Sequence, residues 1–201
     1  VNKKQRIIAG VYVRLIIAIT GASGVIYGKR LLETLCNKNV DVHLVISQAA
    51  EKIIAHELDI TKKSLEKLAD HVYAVDDWSS PIVSGSFKTD GMVIAPCSMK
   101  TIAGIANGFA ENVILRAADV TLKEKRKLVL VPRETPLNTI HLRNMLELAN
   151  QGVVIVPAMP AYYHKPQNIE ALVDFVVGRI LDVLGIEHNL YQRWQDNQKT
   201  G

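Results

Sequence analysis

The chain has 201 residues, enough for one α/β domain with a substantial core. At 48% hydrophobic and 22% charged it falls outside the range of disordered chains, and no apolar run reaches the ~20 residues a membrane-spanning helix needs. The net charge of +4 is too small for a nucleic-acid-binding stripe, and the one dense basic run, Lys123, Lys125, Arg126 and Lys127, reads as a solvated helix end.

Residues 1–13 carry Lys3, Lys4 and Arg6 before a short apolar patch and have no small-residue cleavage site. They are expected to form an N-terminal extension rather than a signal peptide. The stretch that organises the rest is RLIIAITGASGVIYGK, Arg14 to Lys29. Leu15 to Ile19 is a continuous apolar run, as a strand covered on both faces needs. Gly21, Ala22, Ser23 and Gly24 make a tight turn, and a helix is expected from about Val25 to Asn37. Such a helix would aim free N–H groups and its positive end at the turn, which is an anion site, most often for phosphate. TGASG is neither a full dinucleotide fingerprint nor a P-loop.

Val40 to Ile46 reads as the second strand, with Ser47 at its carboxyl end, and Gln48 to Leu58 as a helix ending near Glu57. A short helix over Ser64–Ala69 and a short strand over Val72–Val75 follow, then a loop over Asp76–Pro81 that carries Trp78. Gly91–Ala95 reads as a buried strand and Pro96–Thr101 as a loop that leads into a helix over Ile102–Gly108. A helix over Asn112–Lys123, a strand over Lys127–Val131, a helix over Asn138–Asn150 and a last strand over Val153–Val156 complete the alternation. Ile169–Leu184 closes a domain that spans 14–187, and residues 188–201 are expected to be a C-terminal tail packing on a neighbouring subunit. Regular alternation of strand and helix predicts a single three-layer α/β domain, doubly wound on a mostly parallel sheet.

The useful regularity is one of position. The Gly21–Gly24 turn, Ser47, the Ser98–Thr101 turn, Arg133-Glu134 and Tyr162-Tyr163 all follow strand ends, the edge where open α/β sheets bind ligands. Ser23 and Ser98 also suit plain helix capping, and both roles can coexist. Arg116, Lys123 and Arg179 read as surface or ion-paired groups when taken singly. Arg133-Glu134 lies between Pro132 and Pro136, a rigid loop that presents both side chains to the cleft. Glu57 and Glu134 are candidates for proton transfer, although Glu57 alone reads better as a solvated helix-end acid. Trp78, Tyr162, Tyr163 and Trp194 are scarce aromatics placed mostly in loops or the tail, as a surface for stacking a ring or a cation would require. His141 and His164 form no metal-ligand pattern, so no metal is expected. Cys36 and Cys97 lie far apart, which fits a reducing cytoplasm, and Cys97 reads as a small buried residue.

The segments TGASGVIYGKRLL, PCSMKT, RAADVTLKEKRKLVLVPRETPLNTIHLRNM, PAMPAYYHKP and VVGRIL together resemble the flavin prenyltransferase family, also known as aromatic acid or phenylacrylic acid decarboxylase-type flavoproteins. The resemblance spans about residues 14–194. It implies a Rossmann-like homo-oligomer, commonly a dodecamer. Reduced FMN and dimethylallyl phosphate would be joined, without metal, into prenylated FMN for a separate decarboxylase of aromatic or α,β-unsaturated acids. It further implies FMN contacts at Gly21, Ala22, Ser23, Ser47, Ser98, Met99, Lys100, Thr101 and Arg133. The prenyl phosphate would meet Arg116, Lys123, Glu134, Tyr163 and Arg179, with Glu57 beside the flavin and Trp78 and Trp194 shielding the allyl group. Of these, Ser23, Glu57, Arg116, Lys123 and Glu134 would take part in catalysis. Two rivals share the fold: FMN-dependent cysteine decarboxylases, whose Asn-containing loop is here Pro157-Ala158-Met159-Pro160, and a non-catalytic FMN-binding subunit.

Overall fold

A computed structural model describes residues 13–194, so most of the expected extension and the end of the tail, 195–201, lie outside the described residues. Six strands, β1 (Val13–Ile19), β2 (Val40–Ile46), β3 (His71–Tyr73), β4 (Gly91–Cys97), β5 (Lys127–Pro132) and β6 (Val154–Ile155), form one sheet. Their order is β3-β2-β1-β4-β5-β6 and all are parallel. Seven helices connect them: α1 (Val25–Cys36), α2 (Gln48–Leu58), α3 (Lys62–Glu66), α4 (Met99–Ala106), α5 (Val113–Lys123), α6 (Thr139–Asn150) and α7 (Ile169–Leu184).

The two-residue period of the strands divides the core in two. Leu15, Ile17 and Ile19 face one layer with α1, α2, α3 and α7, whereas Ile16 and Ala18 face the other with α4, α5 and α6. Both faces of the central strands are covered, which is why Leu15–Ile19 of β1 and all of β4 are apolar rather than alternating, whereas β2 and the edge strand β3 carry Asp41, His43 and His71. The chain builds outward from β1 to β3, then returns and builds outward again from β4 to β6. Where the direction reverses, between β1 and β4, the connecting loops diverge and leave a crevice at the carboxyl edge.

Several boundaries differ from those read in the sequence. β4 runs on through Pro96 to Cys97, and α4 begins at Met99, so the expected Pro96–Thr101 loop is reduced to Ser98. Proline is tolerated inside β4 because the β4–β5 register slips between Ile94 and Cys97, where no ladder N–H is needed. α3 and β3 lie earlier than expected, because β3 pairs His71–Tyr73 with His43–Val45 and Asp70 accepts the Val42 N–H at 3.0 Å.

Candidate functional site

Thr20 ties the two central strands together at the crevice. Its hydroxyl donates to the Pro96 carbonyl at 2.9 Å and accepts the Ser98 N–H at 2.8 Å, while its own N–H reaches the same carbonyl at 3.2 Å. The turns after β1 and β4 are thereby held side by side.

Two adjoining cavities open there, sharing Gly21, Ser98, Met99 and Glu134 in their walls. The smaller, of about 330 Å³, adds Ala22, Ser23, Ile53, His56, Glu57 and Arg133. The larger, of about 580 Å³, adds Ser47, Lys100, Thr101, Glu111 and Asn112 among others. All the expected FMN contacts line one or other cavity, as do Glu57 and Glu134.

The larger cavity gathers three helix starts. Ser47, Ser98 and Asn112 are the N-caps of α2, α4 and α5, and all three line it. Their side chains accept the N–H groups of Ala50 at 3.1 Å, Thr101 at 3.3 Å and Leu115 at 3.0 Å. Each helix leaves further N–H groups and the positive end of its dipole facing the same space. Three such termini around one cavity, with Lys100 at its rim ion-paired to Glu111 at 2.9 Å, suit a phosphate.

The start of α1 is a correction. It was expected to be the anion site, but the Glu57 carboxylate already sits on it, accepting the N–H groups of Gly24 at 2.8 Å and Val25 at 3.2 Å. Gly24 is the N-cap, with φ at 94°, a left-handed conformation that favours glycine, so Ser23 is exposed and caps nothing. Glu57 is therefore an exposed acid held at the cavity wall, with both contacts made by Oε2 and Oε1 left open. Arg133 is braced across the turn by Nε donating to the Ser23 carbonyl at 3.2 Å. Glu134 is exposed, and its Oε1 accepts the Thr135 N–H at 3.1 Å.

The remaining expected residues do not reach these cavities within one chain. Arg116 donates from Nε to the Val83 carbonyl at 3.2 Å and pairs with Asp119 at 2.7 Å. Lys123 pairs with Glu124 about 10 Å further along α5, at the opposite edge of the sheet. Trp78 stands exposed in the loop after β3. Tyr163, Arg179 and Trp194 form a third group: Tyr163 meets Trp194 edge-on at 5.1 Å and Phe175 at 5.9 Å, Phe175 meets Tyr191 at 4.9 Å, and Arg179 reaches the Tyr191 hydroxyl at 3.4 Å. Residues 188–194 thus fold back on α7 of their own chain.

Cys97 is fully buried, and burial pushes its thiol well up, so it is no nucleophile. Among the described residues, Asp41, His43 and His71 bring metal-ligand types together on β2 and β3. Asp41 is already held by Arg14 at 2.9 Å and by His43 at 3.1 Å, and the two imidazoles are stacked at 4.4 Å. Stacked rings direct their ring-plane lone pairs along parallel planes rather than at one shared ion, so the group reads as a hydrogen-bond network that extends to Tyr73. Sequence reasoning missed Thr20, Asn112 and His56. Asn112 before an apolar run was a readable capping pattern; Thr20 was hidden because its partners lie 76 residues away.

The chain matches the model of the flavoprotein family over residues 10–181. It is 54% identical to the flavin prenyltransferase UbiX of Methanocaldococcus jannaschii over 181 residues, 90% of this chain and 98% of the relative. Among solved structures it is similar to AnUbiX (PadA1), crystallised with FMN and dimethylallyl pyrophosphate, with a TM-score of 0.90 and 48% identity over 92% of this chain and 98% of that one. A dodecameric FMN-dependent UbiX-like decarboxylase from Escherichia coli O157:H7 superposes with a TM-score of 0.89 at 50% identity, over 90% and 99% of the two chains.

Proposed function

Since the chain belongs to the flavoprotein family and, within it, to the flavin prenyltransferases, we propose that it transfers the dimethylallyl group of dimethylallyl phosphate to N5 and C6 of reduced FMN. The observation that carries this reading is the cavity where the N-termini of α2, α4 and α5 converge, next to a second cavity walled by Glu57, Arg133 and Glu134. The first suits the FMN phosphate and the second the isoalloxazine ring and the reacting end of the donor.

Reduced FMN would supply the nucleophile: N5 would bond to the allyl carbon as the C–O bond to phosphate breaks, and C6 to the far alkene carbon while the carbon between takes up a proton, so that of the two protons lost from N5 and C6 one goes to the phosphate and one to the prenyl chain. The residues manage charge and protons. Arg116, Lys123 and Arg179 stabilise charge gathering on the departing phosphate, while Arg133 holds the FMN. Glu134 supplies a proton to that phosphate. Glu57, oriented by its two backbone N–H contacts, offers Oε1 to a proton leaving the flavin. The allyl fragment carries positive charge as it leaves, which the faces of the flavin and of Trp78 and Trp194 stabilise.

We further propose that the site is completed by other copies of the chain. Arg116, Lys123 and the Tyr163–Arg179–Trp194 group do not line either cavity of their own chain, and the E. coli relative is a dodecamer. The exposed apolar residues Ile140, Leu142 and Leu146 on α6 give such contacts a surface. The product would serve a separate decarboxylase of aromatic or α,β-unsaturated acids. The free cysteines Cys36 and Cys97 support a cytoplasmic location. Among the described residues no helix is long and apolar enough to cross a membrane.

The test is anaerobic release of inorganic phosphate from dimethylallyl monophosphate. Release that requires reduced FMN supports transfer; bound FMN and bound donor with no release would overturn it in favour of a carrier.

A further inference from the structure

Asp182 lies one turn beyond Arg179 on α7 and is the meeting point of the segment that follows the helix. Four groups converge on its carboxylate. Oδ1 is 2.7 Å from Arg193 Nη2 and 3.0 Å from His188 Nε2; Oδ2 is 2.5 Å from the Tyr191 hydroxyl and 3.0 Å from Arg179 Nη1. Burial opposes the charge, but the hydrogen bonds from Arg193, Tyr191 and His188 outweigh it and hold the carboxyl far below its usual range. α7 also carries a seat for the segment. A Cβ at Gly178 would lie 2.5 Å from the Tyr191 ring and 2.8 Å from the His188 ring, so only glycine lets both rings pack there.

The contacts leave Arg179 in a particular state. Only Nη1 is engaged, and no other described residue takes Nε or Nη2. That open edge is the one that grips an anion with two parallel bonds, as Arg30 grips Asp174 through Nε at 2.5 Å and Nη2 at 3.1 Å. The same docked segment sets Trp194 against Tyr163.

We infer that Asp182 is a positioning residue for the prenyl-phosphate end of the site: by latching residues 188–194 onto α7 it aims the open edge of Arg179 and fixes Trp194 beside Tyr163. The inference rests on the reading of those three residues as donor-binding groups. Without the carboxylate, Arg179 loses the ion pair that fixes its Nη1 and regains its rotamer freedom. The buried His188 ring loses its acceptor as well.

Asp182→Asn keeps the shape and removes the charge. It is expected to raise KM for dimethylallyl monophosphate about tenfold or more, the loss of one charge-assisted contact. FMN affinity is expected to stay unchanged, kcat to fall less than KM rises, and amide hydrogen exchange in 188–194 to quicken. Gly178→Ala, which crowds the seat without touching any charge, is expected to give the same split. Asp182→Glu, which keeps the charge, is expected to recover part of the lost affinity. Wild-type turnover with an unaltered KM in Asp182→Asn would overturn the inference alone. So would parallel loss of FMN affinity and of protection throughout α7, the mark of a purely structural role. A wild-type protein that neither binds nor uses the donor would overturn the functional reading and the inference with it.

Discussion

Glu134 is exposed at the rim shared by both cavities, so its removal should disturb chemistry more than folding. Glu134→Gln is expected to leave FMN affinity unchanged and slow phosphate release by roughly 10²-fold or more, the usual contribution of a positioned acid. Rapid-quench measurement at saturating donor checks this, and an unchanged rate would remove Glu134 from the mechanism. Asn112→Ala removes the cap of α5 at the wall of the larger cavity. It should cost about 1 kcal/mol of stability and weaken FMN binding, because the N-terminus loses its fixed direction. Titration of FMN fluorescence reads the second effect, and unaltered binding would place the phosphate elsewhere. Cys97 should resist alkylation in the native protein, since its thiol is both buried and pushed up.

The strand–helix alternation was legible because most elements carry their own periodicity. β2, α2 and α7 begin and end where the apolar pattern does. The β4–α4 junction was not, because Pro96 and Ser98 look like a loop until the register slip and the Ser98 cap are known. Nor was the state of the α1 terminus, since Glu57 reaches it from 33 residues away. Much of the cavity-lining set was readable from one rule, that ligands sit at the carboxyl edge where strand order reverses; Arg116, Lys123 and Arg179 were tied to it by resemblance alone, because they lie on other elements. Thr20 carries a structural prediction of this kind. Thr20→Val leaves the Ser98 N–H without its acceptor while the Pro96 carbonyl keeps the Thr20 N–H, and should cost about 1–3 kcal/mol in denaturant unfolding. Asp182 adds a pH prediction. Its carboxyl is held below the ordinary 3.8, so the stability it contributes is complete above that value and is lost as pH falls through the lower folded value. Exchange protection of 188–194 should therefore persist from neutral pH down to about 4 and fail only in stronger acid.

At the scale of the molecule, one chain holds the flavin cavities but scatters the other cations over two further regions. The proposed sharing of sites between copies would reconcile the two facts. Leu142→Glu with Leu146→Glu should split the assembly in sedimentation and depress transfer, while FMN still binds the separated chains. Co-assembly of inactive Glu134→Gln chains with inactive Arg179→Ala chains should restore part of the activity, since mixed neighbours rebuild intact sites; no recovery would mean that each site belongs to one chain. The most direct measurement is the mass of the flavin after anaerobic incubation of the wild-type protein with reduced FMN and dimethylallyl monophosphate. A flavin heavier by one dimethylallyl unit is expected; an unaltered flavin, with both molecules bound, would contradict the assignment of this edge of the sheet to prenyl transfer.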